Sequence, residues 1–429
     1  MEFVELTREE FRKFACSQPE ESFMQSPELG DLRAAEGFDV YYLGVKEEGR
    51  LLCASLFCAN RVFLGRKIFY APRGYLIDWK NATLTAFFTA GLRSFVRSHG
   101  GFKIVLDPNH VYRIRGKDGS ILENEPADEK TFLLLQSLGY SHFGFNLYLE
   151  ARQVRWAYRM ELDQPYEEKK NQFSKSTRKN LEKAYSQGLR VRTGTAADLD
   201  IMEHLFKDTA TRKDFEYHET SYYTRMYKYM RDLMTIYIAH LDADAYVSCA
   251  AENLRLEQQN NQMVAAEMQR DKVGKHLLHK KEISDQRILK LQEDLENARR
   301  FQKENPEGKD VAALLSMRNG SEYLTLTSGS LEDYRSFTPK YAMYDAHIRD
   351  AYRNGYKACN FYGISGNFQE AGNPFEGVYE FKRGFGGSVI ECIGEFDLNV
   401  SFIGTLYDSL RRLRDHFRSS QKQDPDALN

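Results

Sequence analysis

Two octapeptides far apart in the chain, GGFKIVLD (Gly100–Asp107) and NGYKACNF (Asn354–Phe361), correspond position by position: glycine, aromatic, lysine, then apolar residues. Each follows a helix-patterned stretch, Thr83–Ser98 before the first and Tyr341–Arg353 before the second, and a glycine stands at each helix exit (Gly100, Gly355). Glycine accepts the left-handed backbone of such an exit without steric cost. Strand-like runs lie upstream: Val40–Val45, Leu51–Asn60 and Ile68–Pro72 in the first unit, Thr235–Ala239 and Tyr323–Thr327 in the second. After the helices, Phe102–Leu106 and Tyr356–Tyr362 read as strands. A strand–helix–strand plan used twice predicts an α/β fold with two units of one kind; chance likeness between two such units is the competing reading.

The second unit is interrupted. From about Ala250 to Gln302 the sequence is poor in proline and β-branched residues and rich in Glu, Gln, Lys, Arg and Leu. Ile288, Leu291, Leu295 and Ala298 alternate three and four apart, the spacing of a coiled-coil seam. Leu254, Val264 and Met268 lie on the nearest matching upstream stripe, and Gly274 falls near the midpoint. The pattern predicts an antiparallel helical arm closed by Asn305-Pro306. Helices of about 25 residues would reach roughly 35–40 Å at about 1.5 Å per residue. One long helix pairing between two chains fits the same pattern.

Composition permits packed cores and excludes several classes. Hydrophobic residues make up 42% and aromatics 13% of 429 residues, room for about three units at roughly 150 residues each. Lys and Arg number 60 against 62 Asp and Glu, a net charge of −2. No global field therefore draws in nucleic acid, and RNA contact must use local basic patches. The six cysteines lack CxxC spacing and read as buried, reduced thiols rather than a disulfide frame or zinc site. The N-terminus lacks the basic-then-apolar pattern of a signal peptide. No uncharged apolar run approaches the roughly 20 residues of a spanning helix. A cytoplasmic protein, free to touch a membrane surface, is expected.

Standard nucleotide and hydrolase signatures are missing: there is no GxxxxGK[ST], no strand-to-helix GxGxxG, no HExxH and no GxSxG. An amide-forming enzyme without an ATP site needs a donor that arrives activated, which leaves acyl-CoA and aminoacyl-tRNA. The pyrophosphate-binding pattern of acetyl-CoA enzymes is only nearly matched, at Arg383–Ser388. The richest segment is FYGISGNFQEAGNPFEGVYEFKRGFGGSVIECIGEFDL (Phe361–Leu398). Its strand ends after Tyr362 at Gly363; Phe381, Lys382 and Arg383 then stand around Gly384, Gly386 and Gly387. Such glycines let backbone approach a ligand, and a lysine among aromatics suits an oxyanion or phosphate. A turn closing a sheet is the plainer reading.

Asp107 ends a strand just before Pro108, where open α/β sheets place ligands. It could take a proton from an attacking amine, or simply begin an Asp-Pro turn. A basic, helix-like run over Ser174–Arg192 carries Lys175, Arg178, Lys179, Lys183, Arg190 and Arg192. With Lys169 and Lys170 it could grip phosphates, or form a solvated face. A second run, Arg411, Arg412, Arg414 and Arg418, reads as an exposed helix face. Tyr222 and Tyr223 either face a sugar or peptide or fill a core.

The motifs FYGISG, YEFKRGFGG and GEFDL resemble the Fem family of aminoacyl-tRNA-dependent peptidyltransferases, which build the cross-bridges of bacterial peptidoglycan. The resemblance runs from Phe23 to about Leu398, arm included. It implies two tandem GNAT-like (acetyltransferase-like) domains: 1–155 with a returning C-terminal helix at 397–429, then 156–249 with 304–396, interrupted by the arm at 250–303. It implies transfer of glycine, alanine or serine from aminoacyl-tRNA to the stem-peptide lysine amine of a lipid-linked precursor at the inner membrane face. No metal or other cofactor is implied. Asp107 matches an aspartate proposed as general base, and Lys382 would stabilise the oxyanion. In FMQSPELGDLRAAEGFDVYYLGV (Phe23–Val45), Leu29 replaces a common tryptophan, and Arg33 stands where a lysine contacts a nucleotide diphosphate. In TATRKDFEYHETSYY, Arg212 would reach the same diphosphate, while His218 replaces a usual arginine. Tyr222, Tyr362 and Phe381 would line the substrate. STRKNLEKA matches a basic helix, so Lys175, Arg178 and Lys179 would meet tRNA. Partners allowed by the arm are a second copy or a related bridge-forming transferase. An acyl-CoA-dependent N-acyltransferase and a non-catalytic coiled-coil scaffold are the rival readings; which amino acid moves, and whether the acceptor is lipid-linked or UDP-linked, stays open.

Overall fold

The computed structural model describes residues 1–18, 21–148, 152–213, 220–270, 274–368, 373 and 375–411. Two mixed sheets form the α/β body. The first has seven strands in the order Glu2–Glu5, Asp39–Glu47, Arg50–Phe63, Arg66–Arg73, Gly101–Pro108, Phe396–Asn399 and Ser141–His142. The second has eight: Val111–Arg115, Ser388–Cys392, Trp156–Glu161, Ala358–Gly363, Glu322–Ser330, Lys309–Asn319, Met234–Leu241 and Leu189–Thr193.

The repeated plan is present in both. Arg66–Arg73 pairs in parallel with Gly101–Pro108, and Glu322–Ser330 in parallel with Ala358–Gly363. A helix crosses between the strands each time, Ala82–Ser98 and Pro339–Arg353. In the first helix Leu84, Phe88, Leu92 and Val96 recur every four residues and are buried. Burying each side chain contributes roughly 1.5–3 kcal/mol. Asn81 caps its start by accepting from the Leu84 amide, and Gly100 leaves its end at φ +75°. Pro339 opens the second helix, where its fixed φ suits the first turn.

The lysine of the first octapeptide is structural. Lys103 is buried and bonded to Asp397 at 2.7 Å and to Asp408. Asp408 lies on a helix at 402–411, whose Tyr407 packs on Phe63 and Phe102. Each sheet has its own apolar cluster, and a third joins them through Leu56 of the first sheet, Ile236 and Leu315 of the second, and Phe23, Leu29 and Phe206 between.

The arm is an antiparallel pair of helices, Ala243–Arg270 and Lys275–Glu304. Its register is set by Asn261 with Asp285 at 2.7 Å, Glu257 with Ser284 at 2.6 Å and Gln302 with Asp244 at 2.7 Å. Leu295 and Ala298 are buried on the expected seam. The first helix starts at Ala243 rather than at 250, because Ala243, Tyr246 and Ala250 are packed into the second sheet's core. A second difference concerns Val111–Arg115. It lies in the stretch expected for the first unit yet edges the second sheet, where Arg115 meets Glu391 at 2.7 Å.

Candidate active site

The parallel register of the first sheet sets Pro72 beside Asp107 and Arg73 beside Pro108. Carboxyl ends of neighbouring parallel strands are where such sheets gather ligand-binding groups. Asp107 is buried, and both its oxygens are engaged: Oδ2 accepts from Tyr70 Oη at 2.6 Å and Oδ1 from the Arg73 amide at 2.6 Å. Burial pushes the Asp107 carboxyl up to about 6, with the Arg73 charge and the Tyr70 hydrogen bond opposing the rise. Arg73 is itself buried and donates to the Val154 carbonyl at 2.7 Å.

The link between Trp156–Glu161 and the first sheet supplies the next group. Gln153 Nε2 donates to Tyr70 Oη at 3.3 Å, and Tyr362 Oη donates to Gln153 Oε1 at 2.9 Å. Asp107, Tyr70, Gln153 and Tyr362 thus form one hydrogen-bonded row from the first sheet to the second. A cavity of about 390 Å³ lies on one side, bordered by Tyr70 and Gln153 together with Arg33, Tyr222 and Arg152. A smaller one of about 250 Å³ is bordered by Tyr362 and Arg73, and the two share Phe23 and Met24. Asp107 borders neither.

Arg33 sits in the last turn of the helix Pro27–Ala35, half-buried, with Glu36 at 2.5 Å and Phe38 beneath its guanidinium. Its place on the larger cavity, beside a mostly apolar wall, suits an anion carried on a bulky apolar or sugar-bearing molecule. Tyr222 faces this cavity, whereas its neighbour Tyr223 is buried against Phe206. Arg212 does not join Arg33. Its guanidinium is held by Glu332 at 2.7 Å and the Ser330 carbonyl at 2.9 Å, and it borders neither cavity. The expected two-arginine grip is therefore not formed. His218 lies outside the described residues, as do Arg412, Arg414 and Arg418.

Lys382 lies on the helix Glu376–Arg383 and is buried; its Nζ donates to the Gly363 carbonyl at 2.6 Å, one residue from Tyr362. Burial, with Lys340 adding repulsion, lowers its amine to about 7. It too borders neither cavity. Phe381 is a core aromatic rather than a substrate wall: its ring lies 4.9 Å from Tyr341, 4.8 Å from Tyr344 and 5.4 Å from Phe385.

The helix Lys175–Ser186 carries Lys175, Arg178 and Lys179 near its start, and among the described residues none has an acidic partner within ion-pair distance. Ser174 caps it by accepting from the Thr177 amide. Arg190 and Arg192 do not continue this helix. They lie on the strand Leu189–Thr193 and are paired with Asp242 at 3.3 Å and with Asp198 and Asp310 at 2.8 and 3.0 Å.

A profile of the FemAB family matches residues 6–411. The chain belongs to the FemAB family. Aminoacyltransferase FemA of Staphylococcus aureus is 26% identical over 419 residues, covering 97% of this chain and 99% of that protein. Aminoacyltransferase FemB of Staphylococcus epidermidis is 29% identical over 424 residues, covering 97% of this chain and all (100%) of that one. The FemX crystal structure superposes with a TM-score of 0.75 at 21% identity, over 93% of this chain and 97% of that one, so the fold is shared. Within this FemAB-family fold, Tyr70, Arg152 and Gln153 border the larger cavity and Arg73 the smaller one, and the sequence motifs did not single them out. For Tyr70 and Arg73 the signal was positional, because they close the strand that runs parallel to the one ending in Asp107.

Proposed function

We propose that this FemAB-family chain moves glycine, alanine or serine from aminoacyl-tRNA onto the stem-peptide lysine amine of a lipid-linked peptidoglycan precursor, forming the interpeptide bridge. It is an aminoacyltransferase, as the family and its FemA and FemB relatives indicate. The carrying observation is the larger cavity, whose mostly apolar lining includes Arg33 together with Tyr70 and Gln153. Arg33 would hold the precursor's diphosphate, with forked geometry where relatives offer a point charge. The lysine amine would arrive near Tyr70 and attack the ester carbonyl of charged tRNA.

Lys382 would meet the oxyanion formed in that attack, after turning from the Gly363 carbonyl; an ammonium has hydrogens to spare once one is engaged. An amine at about 7 is only partly charged at neutral pH, and a nearby developing negative charge favours its protonated form. Removing one such donor costs roughly 3–4 kcal/mol elsewhere. Lys175, Arg178 and Lys179 would lie along the phosphates of the tRNA acceptor end. Among the described residues no helix is long and apolar enough to cross a membrane, so contact with the precursor's membrane would be peripheral.

The test is transfer of a radiolabelled amino acid from charged tRNA into the lipid fraction. Label that appears there, and that falls sharply with Lys382→Ala, supports the reading. Label appearing only from an acyl-CoA donor would overturn it.

A further inference from the structure

We propose that Tyr70 is the catalytic residue that receives the acceptor amine's proton and passes its own to Asp107. This rests on the aminoacyl-transfer reading above. Asp107 is 3% exposed, borders neither cavity and has both oxygens engaged, by Tyr70 Oη and the Arg73 amide. Tyr70 borders the larger cavity and Asp107 does not, so an amine held there would reach the tyrosine before the carboxylate behind it. That hydroxyl donates to Asp107, accepts from Gln153 and keeps one lone pair free. Gln153 is oriented by Tyr362, whose hydroxyl takes its Oε1 and leaves its amide hydrogens toward Tyr70.

The charged and titratable groups around this pair are few. Arg73 and Glu395 act on Asp107, and Tyr362 lies beside Arg73. The Arg152 guanidinium sits 5.6 Å from the centre of the Tyr70 ring and is paired with Glu395 at 2.6 Å. Burial and the neighbouring carboxylate hold Tyr70 well above the usual phenol value. It therefore stays protonated at neutral pH and conducts a proton without storing negative charge.

The step balances. The acceptor ammonium first gives one proton to solvent; the neutral amine nitrogen then bonds to the ester carbon as one N–H proton moves to Tyr70 Oη and the Tyr70 proton moves to Asp107 Oδ2. When the ester C–O bond breaks, the departing ribose oxygen takes one proton and Asp107 returns to its ionised form. No oxidant, reductant or metal takes part.

The experiment uses the full chain with charged tRNA and lipid-linked acceptor, measuring kcat and KM from about pH 5 to pH 8. Beyond the steady fall toward acid set by the acceptor amine's own titration, the wild type should lose further rate with a midpoint near the Asp107 value of about 6. Tyr70→Phe keeps the ring under Arg152, so KM for the acceptor should stay within a few fold. Its kcat should fall roughly 100-fold or more, the usual share of general acid–base catalysis, and the added inflection near the Asp107 value should vanish from its pH profile. Asp107→Asn should do the same, and the double variant should be no worse than either single one. A proton inventory in mixed light and heavy water, made on the wild type, should need two protons in flight. Transfer by the wild type with Tyr70→Phe undiminished, or with the inflection near the Asp107 value intact in that variant, overturns the inference alone. So does a one-proton inventory. No transfer by the wild type overturns the proposed function and takes this inference with it.

Discussion

The Ser174 amide donates to the Gly384 carbonyl at 2.8 Å, so the first turn of the basic helix rests on the turn that follows Lys382. The fit leaves no room for a side chain. A Cβ on Gly384 would lie 2.2 Å from Thr177 Oγ1 and 3.2 Å from the Phe381 carbonyl. Gly384→Ala should lower stability by roughly 1–3 kcal/mol through overpacking and weaken tRNA binding in the same variant. Thr177→Ala added to it should restore part of the loss. Denaturant unfolding measures the first effect; an unchanged midpoint would mean that the two turns do not touch.

Reversing Lys175, Arg178 and Lys179 to glutamate should weaken binding of charged tRNA, most at low salt. If these three side chains neutralise phosphates, the slope of log affinity against log salt should shrink by about two to three, near 0.7–0.9 for each phosphate no longer neutralised. Fluorescence titration across a salt series is the measurement. An unchanged slope would return the helix to a plain solvated face.

Arg33 and Arg212 should behave differently although the family resemblance implies the same diphosphate for both. Arg33→Ala should raise the acceptor KM roughly tenfold or more, in line with losing a charged hydrogen bond of about 1.5–3 kcal/mol. Arg212→Ala should leave KM within a few fold and lower the thermal midpoint, since its guanidinium serves Glu332 and Ser330. Steady-state kinetics beside thermal unfolding separates them; a shared KM effect would put both on the diphosphate.

The Lys382 amine gives a pH signature in stability. Its folded value, about 7, lies below the ordinary 10.5. Between these the unfolded chain binds more protons, so stability rises with pH across that window and the deficit is complete below about 7. The slope approaches about 1.4 kcal/mol per pH unit where only the unfolded state is protonated. Unfolding wild type and Lys382→Met from about pH 7 to pH 9 should show that slope in their difference. A flat difference would place Lys382 in an ordinary, hydrated setting.

The octapeptide repeat made both parallel pairs legible, because glycine exits and apolar strands are local signals. The arm's seam was legible through Leu295 and Ala298, but its root was not: Tyr246 belongs to the body's core, so the composition changes later than the helix begins. Leu189–Thr193 was absorbed into a basic run although Leu189 and Val191 alternate with Arg190 and Arg192, the period of a strand. Asp107, Tyr222 and Arg33 could be named from motifs. The row that gives Asp107 its setting could not, because its hydrogen bonds join residues 37, 83 and 209 positions apart. Phe381 and Arg212 show the opposite failure: a motif names residues without saying that one ring packs on Tyr341 and Tyr344 or that one guanidinium is held by Glu332 and the Ser330 carbonyl.

Mass spectrometry of the lipid-linked precursor, after incubation with the full chain and separately charged glycyl-, alanyl- and seryl-tRNA, tests aminoacyl transfer most directly. The account predicts a gain of one amino-acid residue with one of these donors, carried on the stem-peptide lysine side chain on fragmentation. An unchanged precursor mass with every donor, from folded protein, would contradict it.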